Sequence, residues 1–215
     1  MLTIADVLTP EDVERVREGL AAARFGDGKR TASGPARSVK ANAQTDGSDA
    51  KVQALARFVR DAIERHAVFS LYARPARWSP VMFNRYQGGD AYGFHVDNPV
   101  MGEVRTDLSF TLFLSDPEAY EGGALLIDGL DGEREVRLAA GSVVLYPTGA
   151  LHRVTPVTAG ERLAAVGWIQ SLIRRADERE ILFDLGRTRA SLPDSEARLT
   201  LDKAIGNLVR LWGET

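Results

Sequence analysis

A chain of 215 residues, 44% apolar and 27% charged, has the composition of a soluble globular protein with one sizeable core and at most a small appendage. It contains no cysteine, which excludes disulfides, thiolate metal sites and a cysteine nucleophile, and its net charge of −3 with scattered Lys and Arg excludes a nucleic-acid footprint. No apolar run approaches the roughly 20 residues that span a bilayer, and the N-terminus lacks a basic-then-apolar segment, so the expected compartment is the cytoplasm without membrane attachment.

The first element in chain order is a helix. Thr9 is placed to cap it, Pro10 takes the first helical position, and Val13, Val16, Leu20 and Ala23 recur at helical spacing up to Phe25. Residues 26–48, rich in Gly, Ser, Asp and Asn, predict a long loop, and such loops are functional or mobile. Its Lys40, Asn42 and Gln44 suit the mouth of a pocket. A second amphipathic helix carries Val52, Leu55, Phe58, Val59, Ala62 and Ile63, and ends at His66, where the helix dipole accounts for a histidine.

From about residue 68 the pattern changes to short β-type runs near 68–72, 80–87, 92–97, 105–115, 123–128, 133–138, 142–147, 151–155 and 162–172. Turn dipeptides such as Asp128-Gly129 and Ala159-Gly160 separate them, and this spacing predicts a sandwich, jelly roll or barrel. Beyond Ser171 helical spacing returns, with Ile181, Leu182, Leu185 and Thr188 in one stripe. A last helix, capped by Asp194 or Ser195, carries Leu199, Leu201, Ala204, Ile205, Leu208 and Leu211. The expected organisation is therefore N-terminal helices and loop (1–67), a β-core (68–175) and a C-terminal helical extension (176–215). The extension is too small for its own core, so its apolar stripes fit packing on the β-core or pairing of two copies in a homodimer.

The chemistry centres on His95-Val96-Asp97 and on His152. Residues i and i+2 of a strand share a face, so His95 and Asp97 project into one cavity. Two imidazoles and one carboxylate form the facial triad of non-haem Fe(II) oxygenases, which leaves positions open for a bidentate cosubstrate and O₂. Alone, His-x-Asp is a weak motif, and other residues strengthen it. His152 opens a new strand after the apolar run Gly141–Pro147. Arg162 lies just past the Ala159-Gly160 turn, and a hairpin centred on Val157 would set it beside His152, where its fork could grip a carboxylate. Tyr86 and Tyr92 flank the glycine turn before the triad strand.

The stretch Tyr86-Gln-Gly-Gly-Asp-Ala-Tyr92-Gly-Phe-His95-Val-Asp97-Asn98-Pro99, followed by Gly122-Gly123, His152, Arg162 and Trp168, resembles the prolyl and lysyl hydroxylase type of 2-oxoglutarate oxygenase over about residues 80–172. The whole-chain layout is similar to bacterial PKHD-type hydroxylases, a family associated with iron uptake. This resemblance implies a double-stranded β-helix (jelly roll) core, mostly β with flanking helices and a C-terminal helical extension. It implies Fe(II) on His95, Asp97 and His152. It also implies 2-oxoglutarate on Arg162 with Tyr86 beside it, Tyr92 and Trp168 lining the pocket, and ascorbate as a reductant. Phe113 is a further pocket-lining candidate and a departure: animal prolyl hydroxylases place a tyrosine there, so the cosubstrate carboxylate loses a hydroxyl partner and Thr111 or Ser109 becomes the candidate replacement. The implied reaction is hydroxylation of a small-molecule or peptide substrate with O₂, releasing succinate and CO₂, and the retained Asp97 favours hydroxylation over halogenation. Two rivals stand beside it. A non-catalytic jelly-roll sensor would bind metal or a 2-oxo acid without turnover. A zinc hydrolase would need a general-base Glu beside the first histidine and would leave Arg162 unexplained.

Overall fold

The computed structural model describes residues 1–214. Its strands are β1 (Leu2–Ile4), β2 (Phe25–Asp27), β3 (Lys40–Ala41), β4 (Ala43–Thr45), β5 (Pro75–Trp78), β6 (Met82–Gln87), β7 (Ala91–His95), β8 (Val100–Met101), β9 (Val104–Arg105), β10 (Leu108–Phe113), β11 (Tyr120–Gly122), β12 (Leu125–Gly129), β13 (Gly132–Val136), β14 (Val143–Pro147), β15 (His152–Val154) and β16 (Val157–Ser171). The helices are α1 (Pro10–Ala21), α2 (Gly34–Ser38), α3 (Ala50–Arg65), α4 (Ala67–Ala73), α5 (Ala176–Ser191) and α6 (Glu196–Trp212).

A major sheet runs β1-β14-β10-β16-β6-β4-β2, with β5 and β11 also pairing β16, and a minor sheet runs β13-β12-β15-β7-β3. Every strand pair recorded between them is antiparallel, and the two sheets form the jelly-roll core, as expected.

The major sheet is buried on both faces, yet its sequence still alternates. Along β10, Leu108, Phe110 and Leu112 join the cluster under the helices, while Ser109 and Thr111 line the cleft on the other side. Along β16, Leu163, Ala165 and Ile169 pack with the helices, while Arg162, Val166 and Trp168 line the cleft. Covering this sheet, α1 and α3 bury Val13, Val16, Leu20, Val52, Val59 and Ile63, each stabilising by roughly 1.5–3 kcal/mol. The start of α1 follows the sequence: the Asp12 backbone N–H donates to Thr9 Oγ1 at 3.1 Å, and Thr9 N–H donates back to Asp12 Oδ2 at 3.4 Å. His66 is the C-cap of α3, also as expected.

Three expectations are corrected. Residues 68–72 form part of α4 rather than a strand, because Phe69 and Ala73 at helical spacing bury against the α3 side of the core. Segment 26–48 is not one structureless loop; it contributes β2, β3, β4, a 3₁₀ turn (Gly28–Thr31) and α2. The proposed 151–155/162–168 hairpin does not exist, since β15 pairs β12 and β7 in the minor sheet whereas β16 belongs to the major sheet. Pro156, which lacks an N–H for a ladder, sits where the chain passes from one sheet to the other. At the C-terminus, α6 is capped by Ser195 Oγ and has no fully buried residue; Leu199 and Leu211 stay exposed.

Candidate metal centre

His152 stands opposite His95 in the β15–β7 ladder, and the chain leaving β7 brings Asp97 onto both rings. The ligand atoms of His95, Asp97 and His152 all lie within 4.8 Å of one another. His95 Nε2 is 3.8 Å from Asp97 Oδ1, and His152 Nε2 is 3.7 Å from Oδ2. Each Nδ1 faces a backbone carbonyl, Gly93 O at 2.8 Å for His95 and Ala150 O at 2.9 Å for His152. Those carbonyls can only accept, so each ring carries its proton on Nδ1 and turns an Nε2 lone pair inward. Burial, then the neighbouring His152, holds the His95 imidazole below its ordinary pKa and so keeps it neutral.

Asp97 is fixed from behind. Its Oδ2 accepts hydrogen bonds from Trp168 Nε1 at 2.8 Å and from Ser109 Oγ at 2.8 Å, which leaves Oδ1 free of side-chain partners. Trp168 lines the cleft, and the Ser109 hydroxyl, which also lines it, donates to Asp97. Tyr92 stacks on His95 with ring centroids 3.5 Å apart. A bulge in β7 allows this, because His95 pairs His152 while Tyr92, three residues earlier, pairs Val154. Gly93 inside the bulge is required by packing: a Cβ there would come within 2.8 Å of Val39 Cβ.

Arg162 reaches the cleft from the opposite sheet. It is 2% exposed and stands across from Tyr86 in the β16–β6 ladder. Its guanidinium carbon is 5.3 Å from the ring centroids of both Tyr86 and Phe113. Phe113 therefore sits behind Arg162 rather than on the cleft surface. Gly123, at positive φ, leaves room for the arginine stem: a Cβ there would lie 3.0 Å from Arg162 Cδ. No carboxylate comes within 4.0 Å of Arg162 among the described residues, although a buried cation normally has a partner.

Two groups escaped the sequence reading. Tyr146 of β14 lies edge-on to His152 with centroids 5.1 Å apart, and burial raises its phenol well above the usual value, as burial also raises Tyr86 to about 12. Both phenols are thus neutral donors. The alternation Val144/Tyr146 against Val143/Leu145 was the available signal. Asn84 of β6 also lines the cleft, its Oδ1 buried without a partner.

Comparison with known proteins agrees with this geometry. The profile of the 2OG-Fe(II) oxygenase superfamily matches residues 81–170. A PKHD-type hydroxylase of Maricaulis maris is 48% identical over 219 positions, covering 100% of this chain and 99% of the relative. The PKHD-type hydroxylase YbiX of Escherichia coli is 45% identical, covering 100% of this chain and 99% of its own. The chain belongs to the PKHD-type hydroxylases. Among solved structures, a prolyl hydroxylase from Trichoplax adhaerens, in complex with a hypoxia inducible factor peptide fragment, superposes with a TM-score of 0.58 at 17% identity, covering 84% of this chain and 86% of that one; this likeness concerns the fold. The family's metal is Fe(II) and its cosubstrate 2-oxoglutarate. The residues present fit both groups. Two neutral imidazoles with a hard carboxylate suit Fe(II), and an unpaired buried guanidinium suits the far carboxylate of a dicarboxylate.

Proposed function

We propose that this hydroxylase holds Fe(II) on His95 Nε2, His152 Nε2 and Asp97 Oδ1, and 2-oxoglutarate on Arg162, and that it hydroxylates a small-molecule or peptide substrate. The observation that carries this reading is the convergence of the three ligand atoms within 4.8 Å, in a cleft that also holds the unpaired, buried Arg162. Bound together, the metal and 2-oxo acid supply the oxidative chemistry: one O₂ and one 2-oxoglutarate give succinate, CO₂ and the hydroxylated substrate. Family resemblance attaches the reaction to iron uptake and admits ascorbate as reductant.

The chain's own residues orient and shield. The Nδ1 contacts to Gly93 and Ala150 fix both imidazole tautomers, and Trp168 and Ser109 aim the Asp97 carboxylate. Arg162 grips the distal carboxylate of 2-oxoglutarate, with Tyr86 against its guanidinium. Tyr146, beside His152, offers the hydroxyl that Phe113 does not supply. Leu125, Val154 and Val166 line the cleft with apolar surface that keeps water from the site. Succinate release is expected only when Fe(II) and 2-oxoglutarate are both present, and it should disappear in His95→Ala. No release with any candidate substrate would favour the sensor reading.

A further inference from the structure

Lys40 is the second buried cation of this cleft, and the metal and 2-oxoglutarate chemistry does not use it. It is 5% exposed. Its ammonium donates to Thr31 Oγ1 at 3.0 Å and Gln44 Oε1 at 3.4 Å, and lies 5.2 Å from the Tyr92 ring centroid. Both hydrogen-bond partners are neutral, and no carboxylate comes within 4.0 Å of it among the described residues. An ammonium has three donors, so one N–H remains for a ligand.

The charge balance of the cleft points the same way. Among the described residues Asp97 is the only acidic side chain lining it, against Arg162 and Lys40. A divalent ion and a dianionic 2-oxo acid neutralise one another, and Asp97 offsets one of the two cations. The filled cleft therefore keeps one positive charge, which a desolvated site does not hold cheaply without a partner. Burial accordingly draws the Lys40 ammonium down to about 8, with Asp97 opposing the shift.

Position decides what that partner is. Arg162 belongs to the major sheet, whereas Lys40 lies on β3 at the edge of the minor sheet, cross-strand from Tyr92. The same Tyr92 ring that Lys40 approaches stacks on His95. Around Lys40 the wall is made by Thr31, Ala32, Ser33 and Ala36, of which Thr31 and Ser33 are exposed, so this is the side open to an incoming molecule.

We propose that Lys40 is the substrate's anion-binding residue: the molecule hydroxylated carries an anionic oxygen group, a carboxylate or a phosphate, that docks on Lys40 Nζ beside Tyr92 and so determines which C–H faces the metal. The proposal rests on the Fe(II)/2-oxoglutarate reading above. Its test uses the full chain loaded with Zn(II), a diamagnetic stand-in, and 2-oxoglutarate. Lysine is labelled with ¹³C at Cε, and the Lys40 resonance is identified by its loss in Lys40→Met. Acetate and inorganic phosphate are titrated separately against neutral acetamide. At least one anion is expected to shift the Lys40 resonance saturably in the millimolar range, and acetamide is not; which anion responds tells carboxylate from phosphate. By calorimetry, Lys40→Met should weaken binding of that anion about tenfold or more, while 2-oxoglutarate still binds. If wild-type protein binds 2-oxoglutarate but neither anion moves Lys40, or if Lys40→Met binds the anion as tightly, the proposal is wrong and the metal reading stands. If 2-oxoglutarate does not bind at all, both fall together.

Discussion

The wall of the cleft that carries Arg162 is built from β6, β10, β14 and β16, strands of five to fifteen residues in the interior of a sheet. The wall that carries Lys40 is built from a two-residue strand, a 3₁₀ turn and a five-residue helix, much of it exposed. In the first wall each side chain is fixed by neighbours on both sides, which suits groups that must meet the metal and cosubstrate in one geometry. The second wall is joined to the strand of His95 by the two-residue β3–β7 pairing, and to the loop after it by a hydrogen bond from Asn98 Nδ2 to Ser33 Oγ at 3.1 Å. A surface of that kind accepts changes of sequence without disturbing the core, which suits recognition of a particular substrate.

Changes in the first wall should therefore damage cosubstrate and metal binding themselves. The largest effect is expected for Arg162→Ala, which leaves a dicarboxylate without its buried partner. Loss of about 2–5 kcal/mol corresponds to a rise of roughly 30-fold or more in the 2-oxoglutarate requirement, with much less change in iron affinity. Calorimetric titration of both ligands checks it; a 2-oxoglutarate affinity within threefold of wild type would break the contrast between the walls. A smaller effect is expected for Trp168→Phe, which keeps the ring and removes the N–H that holds Asp97 Oδ2. Iron affinity should fall by about tenfold, the range for such supporting partners, and metal competition measurements would read it. Unchanged affinity would mean that Ser109 alone positions the carboxylate.

The two walls were also unequally legible. Period-two patterns and turn glycines marked most of the β-core, and the triad could be found because only three histidines occur and two lie in strand contexts. The topology was less accessible. Counting across a hairpin pairs Arg162 with His152, but the chain changes sheets at Pro156, so the two residues line the cleft from different sheets rather than along one ladder. Residues 68–72 are apolar and short, a pattern that periodicity cannot divide between strand and helix, and packing on α3 decided for α4. Ser109 and Tyr146 lie in segments correctly expected to be strands, but their partners Asp97 and His152 come from the loop after β7 and from β15, and such non-local contacts leave no local pattern. The 26–48 segment showed its polar composition and concealed its β pairing with β6 and β7.

His95, Asp97 and His152 are expected to act as one metal site, with Arg162 serving the cosubstrate. A 2-oxo acid chelated to Fe(II) gives a visible charge-transfer absorption in the absence of O₂, so anaerobic titration of the protein with iron and 2-oxoglutarate tests this directly. The wild type is expected to develop the band, Arg162→Ala to develop it only at much higher 2-oxoglutarate, and His95→Ala and Asp97→Ala not to develop it. A band that forms in His95→Ala and Asp97→Ala at wild-type concentrations would contradict the assignment.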